Sequence, residues 1–362
     1  MKVLIISLAG IGDTLFTTPL ISELRANFPN ATIDALVLWG GAKDVLLGNP
    51  NLNEIFQKNL IKENKVSSLR FLRTLRKRRY DVSFNTHPQS RVHYRIVARL
   101  INAGLRVSHE YDNATPFDRL LVNRVLKQDY GKHAIENNLG FLELIGARLL
   151  LPRHDYEVFL TAVDRQWAGD FVARQNWSGR KLLGIHVGSG GTKNLSLRRW
   201  PLEHYLGLFE KLRRNHPEAA VLLFGGPEEQ GDHELILAQT SRDQVWAAET
   251  GNLRQVAALL KRCDAFLSVD TTLMHLATAM KVPRQIVIET PTWNKPIEPY
   301  NNPFVLVKNP AVGGRNLEYY RYDGRGIRGT KEELLRCMAS VTIEAVYQEV
   351  EKALAGNPGS RD

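Results

Sequence analysis

Cysteine is nearly missing from this sequence: Cys263 and Cys337 are the only two in 362 residues. That excludes a disulfide scaffold, and their separation fits no metal-ligand spacing. The ten histidines are scattered, with no HxxxH pair and no Cys/His cluster, so nothing points to a metal centre. No apolar run approaches the ~18 residues of a membrane-spanning helix. The apolar start VLIIS follows a single lysine and gives way to glycine by Gly10, too short and poorly flanked for a secretory signal. These absences together read as a chain made for a reducing cytoplasm.

Acid is also scarce in one place. The net charge is +10. Residues 62–99 hold eleven Lys or Arg against Glu63 and Asp81, so +9 of that excess falls in 38 residues. LRFLRTLRKRRY (69–80) is its densest part, and Arg91, Arg95 and Arg99 recur at i, i+4, i+8, one stripe on a helix. Such a run is either a solvated face or a surface that meets an anion: phosphorylated lipid, membrane or nucleic acid. It has few aromatics and no nucleic-acid module is visible, so nucleic acid ranks last.

What is present is globular: 43% apolar and 24% charged residues, enough for two well-cored domains. The pattern alternates strand and helix. VLIIS (3–7), TIDALVL (32–38) and DVSFN (81–85) read as strands in the first half; KLLGIHVG (181–188), AAVLLFGG (219–226), DAFLSVD (264–270) and RQIVIE (284–289) do so in the second. Their continuous apolar runs fit parallel strands covered on both faces. A helix is expected after the first strand, with Thr18 as N-cap and Pro19 at its first position. The reading is α/β, two Rossmann-like units in tandem with mostly parallel sheets. Ligands of such sheets bind beyond the carboxyl ends of the strands, where loops 8–14, 187–199, 225–229 and 270–275 carry polar residues. Two facing domains would gather all four around one cleft.

The first of these loops, LAGIGDTLF (8–16), is the most informative. A dinucleotide fingerprint needs GxGxxG, but Phe16 and Thr17 stand where the third small residue belongs, which disfavours an oxidoreductase. Asp13 would repel a phosphate, so the turn either presents this carboxylate or uses it to cap the following helix. DTTLMH (270–275) sits where a strand meets a helix, and free N–H groups there suit a diphosphate. Thr271, Thr272 and Leu273 would supply backbone N–H groups. Asp270 and His275 would shape the turn or touch a sugar, with Asp270 as a simple helix cap the alternative. Ser189 and Thr192 offer hydroxyls within a glycine-rich loop. Either Lys193 or Arg198 offers a cation. A carboxylate after FGG, Glu228 or Glu229, could accept ribose hydroxyls or only favour its own helix dipole.

In this order and at this spacing, GIGDTLFTTPLISELRANFPNATIDALV, HAIENNLGFLELIGA (133–147), GIHVGSGG, RRWPLEHY, LLFGGPEEQ and DAFLSVDTTLMHLATAMKVP resemble glycosyltransferase family nine, the lipopolysaccharide heptosyltransferases. The resemblance spans nearly the whole chain. It implies a GT-B fold, with an acceptor-binding domain at 1–165, a nucleotide-sugar-binding domain at 166–340 and a C-terminal helix and tail at 341–362. It implies an inverting, metal-independent transfer of a sugar, foremost heptose from ADP-heptose, with no cofactor and no DxD-like pair. Asp13 matches the family's catalytic base, beside Gly12. The implied partners are the nucleotide sugar, an anionic glycolipid acceptor met by Arg91 and Arg95, and the cytoplasmic face of the inner membrane, met by the 69–79 run. Two departures bear on the donor: Thr272 replaces a glycine, and Glu289 stands where the family has a Phe-Gly turn. A different nucleotide sugar and acceptor, or a non-catalytic nucleotide-sugar binder, are the competing expectations.

Overall fold

The computed structural model describes residues 1–189, 195–313 and 330–355. They form two units. The first comprises Met1–Phe159 with Lys295–Ile297, and the second begins at Leu160 and includes Asn294, 298–313 and 330–355.

The first unit is a six-stranded parallel sheet with helices between the strands. In chain order it contains β1 (Lys2–Ser7), α1 (Ile11–Leu15), α2 (Thr18–Asn27), β2 (Thr32–Val37), α3 (Gly40–Leu46), β3 (Glu54–Gln57) and α4 (Lys65–Lys77). It continues with β4 (Val82–Asn85), α5 (Val92–Ile101), β5 (Leu105–Glu110), α6 (Asp118–Leu121), β6 (Arg124–Lys127) and α7 (Ala134–Leu139). The strand order is β3-β2-β1-β4-β5-β6. The central strands are buried on both faces, as their unbroken apolar runs require. Leu4, Ile6, Leu36, Leu72, Leu75 and Ala98 share one core cluster, so α4 and α5 pack on the same face of the sheet. On α4, Leu72 and Leu75 turn inward while Arg70, Arg73 and Arg76 are exposed.

The second unit repeats the plan. It contains α8 (Ala162–Arg174), β7 (Leu182–His186), α9 (Leu202–Asn215), β8 (Ala220–Phe224), α10 (Gln230–Gln239), β9 (Val245–Ala247) and α11 (Leu253–Leu260). Then come β10 (Ala265–Ser268), α12 (Thr272–Ala279), β11 (Arg284–Ile288), β12 (Phe304–Val307), α13 (Lys331–Ala339) and α14 (Ile343–Ala355). Its order is β12-β11-β10-β7-β8-β9. Counted from its own first strand, each sheet therefore runs 3-2-1-4-5-6, with a topological switch point between strands 1 and 4. Those points are β1/β4 in the first unit and β7/β10 in the second. The last helix is no appendage: Val346, Tyr347, Val350 and Leu354 of α14 are buried in the core of the second sheet.

One helix boundary differs from expectation. Helix α2 does start at Thr18, but its N-cap is Thr17, with Pro19 second in the helix. The Thr18 hydroxyl caps nothing there; it donates to the carbonyl of Leu15 at 2.9 Å, because the short α1 runs almost directly into α2. No described helix is long and apolar enough to cross a membrane.

Candidate active site

In the first unit the chain leaves β1 at Ser7 and re-enters helix at Ile11. Asp13 lies in the first turn of α1, half-buried, with Gly12 buried beside it. Its Oδ2 accepts the Gly10 N–H at 2.6 Å, which closes the turn. A Cβ on Gly10 would stand 2.8 Å from that same oxygen, so glycine is needed for the approach. Thr14, next along, meets Ser7 hydroxyl to hydroxyl at 3.1 Å and ties the helix to the strand end. The carboxylate thus does both things the sequence allowed: it is presented at the carboxyl end of the first strand, and it braces its own helix.

Behind it is a buried polar shelf. Gln89 donates to the carbonyls of Ile6 (2.5 Å) and Thr86 (2.8 Å), and its Oε1 accepts the Leu8 N–H at 3.3 Å. The Tyr111 hydroxyl accepts the Gln89 N–H at 2.9 Å. Burial pushes His87 down to about 3 and His109 to about 4, so both imidazoles are neutral at ordinary pH.

The two arginines expected at the acceptor part company. Arg91 is half-buried at the N-cap of α5. Arg95 is 2% exposed and pairs through Nε with Asp118 of α6, while its other nitrogens reach the carbonyls of Ser90 (3.1 Å) and Gln89 (3.4 Å). Its guanidinium is therefore spent on the scaffold that carries the 89–91 backbone. Backbone Thr115 N–H and Arg95 hold the Asp118 carboxyl below its ordinary range in spite of its burial.

In the second unit, the ends of β7, β8 and β10 carry the expected donor residues. Thr271 is the N-cap of α12: its Oγ1 accepts the Met274 N–H at 3.3 Å and meets His186 Nδ1 at 3.2 Å. Burial drives His186 down to about 3, so the imidazole is neutral and shares one hydrogen bond with the Thr271 hydroxyl. Thr272 and Leu273 form the first turn of α12, where backbone N–H groups have no partner within the helix. His275 is buried one turn on.

Asp270 is buried and accepts from Arg198 Nη1 at 2.7 Å. Burial raises the Asp270 carboxyl, and the guanidinium opposes that rise without cancelling it. Two residues expected to act separately on the donor are thus joined in one ion pair. Ser189 is buried three residues past β7; Thr192 and Lys193 lie outside the described residues.

The two glutamates also separate. Glu228 is exposed, whereas Glu229 is 4% exposed and accepts from Arg199 Nη2 at 2.8 Å and from the Gly226 N–H at 3.0 Å. Arg199 Nη1 binds Asp232 at 2.9 Å. Glu229 lies against Gly188, where a Cβ would meet its Oε1 at 2.2 Å. Burial holds the Glu229 carboxyl above its ordinary value. Arg199 was not singled out from the sequence, though it adjoins Arg198; the local signal is Gly188, two residues past β7, which has no side chain to fill the space that Glu229 takes.

The arrangement offers a carboxylate at one switch point, and at the other a helix N-terminus beside a half-buried arginine, a pairing that suits an anion. Comparisons with known proteins identify the fold and the family. Residues 68–318 match the model of glycosyltransferase family 9 (heptosyltransferase). Lipopolysaccharide heptosyltransferase 3 of Escherichia coli is 25% identical over 288 residues, covering 75% of this chain and 78% of its own. Among solved structures, a family 9 glycosyl transferase from Veillonella parvula superposes with a TM-score of 0.77 at 18% identity, covering 98% of this chain and 97% of its own. The E. coli heptosyltransferase WaaC, in a structure with ADP-2-deoxy-2-fluoro heptose, gives 0.68 at 20% identity, over 97% of this chain and 99% of its own. The folds are the same, and both units of the chain are GT-B halves. The chain is a glycosyltransferase and belongs to family 9, the heptosyltransferases.

Proposed function

We propose that the protein transfers heptose from ADP-heptose to an anionic sugar of a lipopolysaccharide core, with inversion and without a metal. The observation that carries this reading is Asp13, a carboxylate fixed by the Gly10 N–H at the carboxyl end of β1. Asp13 takes the proton of the acceptor hydroxyl as its oxygen bonds to the anomeric carbon. The bond from that carbon to the diphosphate breaks on the opposite face, and the electron pair leaves with ADP. The leaving charge falls to the first turn of α12, with Thr271, Thr272 and Leu273, and to Arg198. A guanidinium and a helix N-terminus can neutralise a diphosphate as a divalent cation does, which is the support for metal independence.

Asp270 and His275 face the sugar in this reading, Ser189 the phosphates, and exposed Glu228 the ribose. Glu229, paired with Arg199, holds the loop that carries them. One relative named above is a lipopolysaccharide heptosyltransferase and one solved heptosyltransferase is seen with an ADP-heptose analogue, which supports the same substrates here. Arg91 and Gly12 face the acceptor, while Arg95 acts through its hold on Ser90. Exposed Val66 and Leu69 among Lys65, Arg70 and Arg73 on α4 support seating on an anionic lipid surface.

Calorimetric titration with ADP, UDP and GDP tests the donor, and NMR of the product anomer tests inversion. Preference for ADP and an inverted anomer are expected. Preference for UDP or GDP would overturn the heptose assignment and leave the role of Asp13 standing.

A further inference from the structure

Asn85 is the last residue of β4 and stands in register with Ile6 of β1 and Ser108 of β5. It therefore sits at the switch point of the first sheet, on the strand beside β1, whose end leads into the turn that bears Asp13. The side chain is 1% exposed. Neither its Oδ1 nor its Nδ2 finds a hydrogen-bond partner among the described residues. A buried amide with both ends unsatisfied is costly, about 1–3 kcal/mol for each group left unmade, and folded proteins seldom keep one without a use.

Register places Asn85 on the same face of the sheet as Ile6. The core cluster that contains Ile6 is edged by half-buried Trp39 and Tyr94, and Trp39 donates its Nε1–H to the carbonyl of Ala9 at 2.8 Å. Trp39 follows β2, the Asp13 turn follows β1 and Asn85 ends β4, so the indole, the carboxylate and the orphaned amide stand at the carboxyl ends of three adjacent strands. An amide offers a donor and an acceptor side by side, the complement of a pair of neighbouring hydroxyls, and an aromatic face suits the C–H face of a sugar ring.

We infer that Asn85 is a specificity residue for the acceptor: its amide binds hydroxyls of the sugar that receives the transferred group. The inference rests on reading the first unit as the acceptor half. Arg91, six residues on, stands at the start of the next helix for an anionic substituent on the same sugar. The unsatisfied amide is the cost, carried in the empty enzyme, of a contact made only when the sugar is bound.

The test is Asn85→Leu, close in shape and unable to hydrogen-bond, with Asn85→Ala as the second variant should the first fail to fold. Three quantities are read on the full chain: the melting temperature, ADP affinity, and kcat/KM for a deacylated lipopolysaccharide core oligosaccharide with ADP-heptose as donor. Loss of two neutral hydrogen bonds predicts a fall in kcat/KM of roughly tenfold or more. ADP affinity is unchanged and the melting temperature is equal or higher, because the variant removes an unsatisfied group from the interior. A kcat/KM within twofold of the parent overturns the inference. So does a lowered melting temperature with ADP affinity falling in step, which is the mark of a structural role. Should the parent bind no ADP and turn over no ADP-heptose, the function reading fails, and titration with the oligosaccharide alone still decides: tighter binding by the parent supports Asn85, and equal or absent binding overturns it.

Discussion

Asp13 carries two duties that one pair of substitutions can separate. Its Oδ2 closes the first turn of α1 on the Gly10 N–H, and in the proposed reaction the same carboxylate takes a proton. Asn in its place keeps an oxygen for Gly10 but is no base. Ala removes both. Loss of an N-terminal capping contact costs about 0.5–2 kcal/mol. In a unit of this size, each kcal/mol is worth about 2–4 °C in melting temperature. Removal of a general base costs ~10²–10⁴ in rate. Asp13→Asn is therefore expected to melt within about a degree of the parent while losing at least ~10² in kcat. Asp13→Ala is expected to lose the same activity and also to melt about 2–6 °C lower. The assays are scanning calorimetry and ADP release from ADP-heptose, with ADP affinity as a control. An Asp13→Asn enzyme that keeps more than a tenth of its activity would refute the base role. An Asp13→Ala enzyme as stable as the parent would refute the brace.

The Arg95–Asp118 pair predicts a stability loss of about 3–5 kcal/mol for Arg95→Ala, since Asp118 would be left buried and charged. Urea unfolding should show it; lost acceptor turnover at unchanged stability would make Arg95 a direct contact instead. Gly188→Ala drives a Cβ into Glu229 and so breaks its pairing with Arg199. A double-mutant cycle with Glu229→Ala should then show coupling, the double variant being less damaged than the sum, and strict additivity would contradict the collision. Acid should destabilise the fold well above the carboxylate range. His87, His109 and His186 are neutral when folded, with values of about 3, 4 and 3 against 6.5 when exposed. The unfolded chain therefore binds more protons below 6.5, so stability is whole above that value and falls as pH drops toward 4. Three such groups give a slope approaching ~4 kcal/mol per pH unit. A flat urea midpoint between pH 7.5 and 5 would show that these rings are already charged in the fold.

The parallel strands of both units were legible because burial on two faces leaves no room for polar residues: VLIIS, LLGIH and AFLS announce themselves. The position of Asp270 was legible too, because an acid ending an apolar run marks the carboxyl end of a strand. Two of the edge strands were not. RVLK of β6 and VWA of β9 are short and half-exposed, so neither an apolar run nor an alternation marks them. The site residues whose partners lie far along the chain were the hardest to read. Arg95 looked like part of an exposed stripe because Asp118, 23 residues on, is invisible to helical periodicity. Arg199 passed unremarked because Glu229 and Asp232 are 30 and 33 residues away. Local pattern reports which face a residue occupies, but an ion pair formed by tertiary packing decides whether a cation there is available to a ligand.

The order of strands has a consequence for synthesis. Every strand of the first sheet lies between Lys2 and Lys127, so that sheet needs nothing made later to complete its ladder. At ~5–20 residues per second, the rest of the chain takes on the order of 10–50 s to follow. During that interval the first sheet can already be folded, with Asp13 in place and the second unit not yet made. If the first unit is the acceptor half, as proposed, it is complete while still tethered to the ribosome, and the acceptor site is built before the donor site exists.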